Sequence, residues 1–314
     1  MHREDFHFDK GPCKPSCSIK ELLDIMIDRG VIVRDYNNAL DIIRRTGYYR
    51  LSAYTLSLKK DDVFYPETTF DNIYELYRCD DAFRKIVFDY ASYVEIAFRA
   101  YISQELSQKY GPLGYLDADN FTNKSFHKEF IEHLESEVAR SDDVFVEHHY
   151  NDLKSIFPLW VAIECASFGD ISKLFKNMKN EDKQNIVKKW LPNDEVYISN
   201  WLQCSVYARN ISAHGGRFYN RPLQSVKVRL PGKLKKIMSN ESPFAFILAI
   251  NKLLPSKALS DQLQKDLKHL FEKYTFANSE KYGFPSGWEI ILAEQSNSYK
   301  YYSSLKDSPY IKGA

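Results

Sequence analysis

Arg209 and His214 are the residues whose types and spacing point most directly to chemistry. They sit five positions apart in the run Arg209-Asn210-Ile211-Ser212-Ala213-His214-Gly215-Gly216-Arg217-Phe218-Tyr219-Asn220-Arg221. Histidine titrates near neutral pH and can move the proton of a ribose 2′-hydroxyl or of a leaving 5′-oxygen. Arginine offers a permanent, forked charge to a phosphorane-like transition state. Together they are what a ribonuclease that uses no metal requires. A pair at about this spacing is expected about once by chance in a chain with eight histidines, so placement carries more weight than the match itself. Gly215 ends a helix at His214, because the left-handed terminal conformation suits glycine. Asn210 and His214 then share a face, while Arg209 lies about 140° round the helix and must wrap its side chain to reach them. The plainer alternative is a C-capping histidine beside a surface arginine.

The stretch after the histidine is basic. Arg217, Arg221, Lys227, Arg229, Lys233, Lys235 and Lys236 occur with no Asp or Glu between Gly215 and Asn240. With Asn220 and the interleaved Phe218 and Tyr219 they make a candidate RNA-binding surface, the rings stacking on unpaired bases. A solvated loop followed by a lysine-rich helix explains the same pattern. Glu95 and Arg99 form an i,i+4 ion pair that either braces its own helix or orients Arg209 or His214 from a neighbouring one. Cys13 and Cys17, near His2 and His7, have a C-x3-C spacing with no second pair, a poor basis for zinc. Asp117-Ala118-Asp119-Asn120 lacks the glycine and the distant glutamate of a calcium loop and reads as capping. With no phosphate-binding loop, zinc-protease motif or nucleophile elbow, neither a metal nor a cofactor is expected.

These residues must be positioned by helices. Ser18 and Glu21 form a capping box before Leu22, Leu23, Ile25 and Met26, and Gly30 ends that helix. A second helix is expected from about Asp35 to Arg45, stopping at Gly47, and an aromatic helical stretch follows to about Lys59-Lys60-Asp61-Asp62. Neither Gly nor Pro interrupts residues 67–110. There Phe83, Val87, Tyr90, Val94, Ala97 and Tyr101 step by four and three, a seam for a long helix in a bundle or across a dimer, with a bend possible near Asp80-Asp81. Further helices are expected near 125–140, from Pro158 with a break at Gly169, over 171–190, from Asp194 to His214, and near 243–254 and 259–275. Val226-Lys227-Val228-Arg229-Leu230 alternates and is the one candidate strand. The first dozen residues read as a loose arm.

Composition is that of an ordinary globular protein, 44% hydrophobic and 27% charged over 314 residues. A net charge of +1 gives no global pull toward nucleic acid, so affinity must be local. Aromatic residues make up 15% of the chain, which fits rings at helix seams as well as rings on bases. Five scattered cysteines fit a reducing cytosol better than a disulfide framework. No apolar run of about 18 residues or more and no secretory leader is present, so a cytoplasmic protein outside the membrane is expected.

Five segments, in order over about residues 15–225, resemble the Abi-like (AbiD/AbiF-type) abortive-infection family. They are Thr46-Gly47-Tyr48-Tyr49-Arg50-Leu51-Ser52-Ala53-Tyr54, then Phe64-Tyr65-Pro66-Glu67-Thr68-Thr69-Phe70 with Leu76-Tyr77-Arg78-Cys79-Asp80, then Glu95-Ile96-Ala97-Phe98-Arg99, then Pro158-Leu159-Trp160 to Ser167-Phe168-Gly169, and the Arg209–Arg221 run. Cys79 departs from the acidic or apolar residue usual in its block. The resemblance implies an all-α HEPN-like helical bundle with N-terminal and C-terminal helical extensions, divided as residues 1–66, 67–225 and 226–314. It implies a role in bacterial phage defence, with Arg209 and His214 cutting RNA by 2′-hydroxyl attack, Asn210 positioning, and Glu95 and Arg99 in support. Because HEPN sites are usually composite and this chain holds one R-x4-H motif, it also implies a homodimer. The competing expectation is a catalytically silent module that holds a small structured RNA on Arg217, Arg221 and the lysines.

Overall fold

The computed structural model describes Gly11, residues 15–191 and residues 195–294. The expected N-terminal arm, Cys13 with His2 and His7, and Asp194 lie outside the described residues. Thirteen α-helices account for most of the described residues, and the all-α expectation holds. The chain forms two compact units, Met1–Tyr77 and Arg78–Ala314.

In the first unit, α1 (Ile19–Asp28) starts on the expected capping box: Ser18 accepts from the Glu21 N–H while Glu21 accepts from the Ser18 N–H. Asp35 caps α2 (Tyr36–Thr46) by accepting from the Asn38 N–H. α3 is only Tyr48–Ser52, and the rest of the aromatic stretch departs from helix. A 3₁₀ turn at Thr55–Ser57 leads into a two-strand hairpin, β1 (Lys59–Lys60) and β2 (Val63–Phe64), antiparallel with Lys59 opposite Phe64. Asp61 and Asp62 both have positive φ, 50° and 66°, the primed turn that matches strand twist and that Asp tolerates. This is where the strand structure lies among the described residues; the expected strand at 226–230 is not one. The unit closes on an apolar core that includes Leu23, Met26, Ile42, Ile43, Leu51 and Phe64.

The long helix α4 (Phe70–Tyr110) runs unbroken through 41 residues, without an interruption at Asp80-Asp81. Thr69 starts it, its hydroxyl accepting from the Asn72 N–H. Within the second unit its seam is consumed inside the chain rather than left for a partner. Phe83 meets Phe218 and Tyr282, the Tyr90 hydroxyl donates to Asp266 at 2.7 Å, and Tyr101 stacks on Trp190 at 5.2 Å. After α4 come α5 (Lys124–Arg140), α6 (Val144–Asn151), the short α7 (Leu159–Ala162), α8 (Phe168–Asn177) and α9 (Asn180–Trp190). The break in the Pro158 segment falls before Gly169: Ser167 and Asp170 build a capping box there and start a new helix.

α10 (Glu195–Ala213) carries the motif residues and packs against α8, α9 and α11 (Pro243–Leu253). Every residue of α11 is buried, which its apolar run Phe244-Ala245-Phe246-Ile247-Leu248-Ala249-Ile250 permits on all faces. α12 (Lys257–Lys273) and α13 (Trp288–Glu294) complete the unit, so residues beyond 226 help enclose α10. The alternation at 226–230 did report burial, since Val228 and Leu230 are inside. The backbone there forms no strand: Asn200 accepts from the Arg229 N–H, the Trp201 indole donates to the Arg229 carbonyl, and the Val228 N–H donates to the Asn240 carbonyl.

Gly47 joins α2 to α3 at φ +87° and ψ 129°, a region that only glycine enters without strain. Gly47→Ala is expected to destabilise the protein by about 1–3 kcal/mol in urea unfolding, and a loss within about 0.3 kcal/mol would contradict the strain argument.

Candidate active site

The end of α10 is closed by backbone alone. The His214 N–H donates to the Asn210 carbonyl at 3.0 Å, so helical geometry persists to His214 and keeps it on the Asn210 face. Gly215, at φ +64°, donates to the Ser212 carbonyl and Gly216 to the Ile211 carbonyl, at 3.1 and 2.8 Å. This is the paired Schellman arrangement. It needs glycine twice, since a methyl group on Gly216 would come within 2.8 Å of Ile211 Cγ2 and 3.2 Å of its carbonyl oxygen. The terminal carbonyls are therefore satisfied without the imidazole. His214 is exposed, and among the described residues no hydrogen bond engages its ring. The capping role that the plainer reading assigned to it is filled by the two glycines.

Arg209 is placed differently. Its Nη2 donates to Glu95 Oε2 at 2.9 Å, and the other oxygen of the same carboxylate accepts from Arg99 Nη2 at 2.7 Å. Arg99 also donates to the Ala166 carbonyl at 2.9 Å and lies 3.9 Å from Glu164. The guanidinium of Arg209 sits 5.6 Å over the Phe168 ring, and its Nη1 donates to Asn210 Oδ1 at 3.3 Å. Three segments thus meet on one side chain that is 23% exposed: α4 through Glu95, the first residue of α8, and α10 itself. A carboxylate, a ring and an amide on one guanidinium restrict its rotamers. The structure thereby joins Glu95, Arg99, Arg209 and Asn210 by direct contact, and His214 stands beside them at the helix end.

Sequence reasoning missed Asp80 as a positioning residue. Its carboxylate, 0% exposed, accepts from the Phe218 N–H at 3.2 Å and the Tyr219 N–H at 2.8 Å. It is also paired with Arg84 at 3.0 Å. The loop that follows His214 is fastened to α4 by this one group. A signal was present: Asp80 and Arg84 flank Cys79, Phe83 and Val87, so two charges sit on the core side of an otherwise apolar stripe.

The candidate RNA-binding residues separate. Tyr219, expected to stack on bases, is 4% exposed with its ring 5.4 Å from Tyr282, and Phe218 is 1% exposed against Phe83. Both are core residues, held inward because Asp80 takes their N–H groups, and neither presents a face to a base. Asn220 is exposed at φ +49° and fixed by its N–H to the Lys281 carbonyl. Arg221 is half-buried and donates to the Arg217 carbonyl; Arg217 is half-buried as well. Lys227 is paired with Glu241 at 2.7 Å, an acid just past the acid-free run. Arg229 is exposed over the Tyr197 ring at 5.8 Å. The lysine-rich helix of the alternative reading is a single 3₁₀ turn, Leu234–Lys236. Asp117 caps a short turn by accepting from the Asp119 N–H, and no group of three or more metal-ligating side chains gathers among the described residues.

A model of the Abi-like protein family matches residues 41–220, more than half of the chain. No curated protein and no solved structure matches it. The matched stretch takes in Asp80, Glu95, Arg99, Arg209 and His214, and ends just past the two residues that Asp80 holds.

Removing that carboxylate would strand two buried N–H groups and leave the buried Arg84 guanidinium with one fewer carboxylate, Asp81 at 2.8 Å remaining. Asp80→Ala is expected to cost about 3–5 kcal/mol in urea unfolding, against well under 1 kcal/mol for a surface Asp such as Asp261. Equal costs for the two substitutions would remove the anchoring role.

Proposed function

We propose, because the chain belongs to the Abi-like protein family, that it acts inside bacterial cells as a metal-independent HEPN-type endoribonuclease of abortive infection, the defence that halts phage by shutting down its host. The observation that carries this reading is the Glu95 bridge. It fixes one arginine of α10 while the ring of the histidine at the same helix end is left, among the described residues, without a hydrogen bond. In the proposed reaction a ribose 2′-oxygen attacks the adjacent phosphorus and the bond to the 5′-oxygen breaks. The products are a 2′,3′-cyclic phosphate and a 5′-hydroxyl. His214 takes the 2′-hydroxyl proton or returns one to the 5′-oxygen, Arg209 meets the charge gathering on the phosphoryl oxygens, and Asn210 positions the strand. Glu95 and Arg99 act through Arg209 and are positioning residues. One motif per chain supplies one histidine, so the two proton transfers call for a homodimer whose two copies of His214 face a shared groove.

The test is cleavage of total RNA by the purified protein in excess EDTA, beside His214→Ala, with product ends typed. Wild type should leave cyclic-phosphate ends. His214→Ala should lose at least about a hundredfold in rate with its stability changed by less than about 1 kcal/mol, because the cap does not use the ring. A folded wild type that binds a discrete RNA without cutting it would replace this reading with the silent RNA-holding module. A strictly monomeric active enzyme would remove the shared groove.

A further inference from the structure

A cavity of about 550 Å³ opens between α5, α8 and α10, beside the residues above but lined by none of them. Its walls combine chemistries that suit one ligand class. α5 contributes Phe126, whose ring is exposed, and the buried Phe130. α8 contributes Lys173 and Lys176, three apart and exposed, and among the described residues neither ammonium joins an ion pair. α10 contributes the Gln203 amide, and α5 adds His133. His133 is a built feature: its Nδ1 lies 2.8 Å from Oδ2 of the buried Asp170, which also accepts from the Ser167 hydroxyl and N–H. That carboxylate fixes the ring's orientation and turns Nε2 toward Glu137, 3.5 Å away. An exposed ring, two cations on one helix face and a side-chain amide are what a nucleotide needs, and the volume is in the range of ligand sites. The acids in the lining are Glu129, on α5, and Asp170, which is buried and held by His133 and Ser167.

The cavity is also connected to the motif. Ser199, Gln203, Val206 and Asn210 step by four, three and four along α10, so its α10 wall continues as one face to Asn210 and on to His214. Seven residues of helix separate Gln203 from Asn210, about 10 Å, or roughly two to three nucleotides of strand. We infer that this cavity is a subsite for one unpaired nucleotide of the RNA, two or three nucleotides from the scissile phosphate. Its base lies against Phe126, Gln203 offers hydrogen bonds to the base edge, and its phosphate lies between Lys173 and Lys176. The inference rests on the ribonuclease reading and gives its substrate a second point of attachment, which makes the preferred substrate single-stranded over this distance.

The test is binding of a fluorescein-labelled single-stranded RNA of about a dozen nucleotides, followed by anisotropy across a salt series. All proteins carry His214→Ala, so nothing is cut. Adding Lys173→Gln with Lys176→Gln should weaken binding at least about tenfold and flatten the slope of log affinity against log salt by about 0.7, one phosphate contact on a single strand. Phe126→Ala should weaken binding about tenfold with the slope unchanged. Lys265→Gln with Lys268→Gln removes the same charge outside the cavity and should change neither by more than about twofold. If the cavity pair matches that control, or the cavity variants bind like their parent, the subsite is overturned while the ribonuclease reading stands on its cleavage products. If the parent binds no RNA, the subsite and the RNA reading fall together.

Discussion

Two carboxylates on one helix hold the segment on which everything else depends. Glu95 grips Arg209 before the helix end, and Asp80 grips the backbone at Phe218 and Tyr219 after it. Fifteen residues of α4 separate the two carboxylates, about 22 Å along the axis. Between these fixed points lie Asn210, His214 and Arg217. A loop anchored at one end samples many positions for its side chains; anchored at both, it retains far fewer, and the ordering cost is met during folding rather than on binding. The interaction that makes this possible tolerates little change, since Asp80 is fully enclosed and its charge meets Arg84 and two backbone N–H groups.

Division of labour at the helix end follows from the same economy. Gly215 and Gly216 satisfy the last carbonyls, so the adjacent position need not be chosen for capping. Histidine there is neither buried nor bonded, which leaves a titratable ring facing solvent. Arg209 is the reverse case, a side chain tied by a carboxylate, an amide and an aromatic face. A mobile proton carrier next to a fixed cation is a reasonable arrangement for chemistry in which charge builds at one place while a proton travels.

What could be read from the sequence was whatever short-range chemistry dictates. Ser18 with Glu21, and Asp35, mark helix starts through contacts a few residues long, and those starts lie where expected. The Glu95–Arg99 spacing likewise gave their pairing, because four residues on a helix is a fixed distance. Failures came where a distant partner decides. Tyr219 looks like a surface ring in a basic loop until Asp80, 139 residues earlier, draws its backbone inward. Residues 226–230 alternate as a strand would, yet their backbone bonds to Asn200 and Trp201 on a helix and to the single carbonyl of Asn240, not to a paired strand. Asp61 and Asp62 read as a charged helix terminus because nothing local distinguishes that from a turn with two positive φ values.

The enclosure of α11 separates ancestry from architecture. The family match stops at Asn220, but the surface against which the motif helix is laid comes from residues 243–253, and the apolar core of the first unit includes Leu23 and Met26, ahead of the match at residue 41. The stretch by which relatives are known is thus not a module that could be excised or grafted: cut at its own borders, it would leave one face of α10 and one face of α2 bare to water.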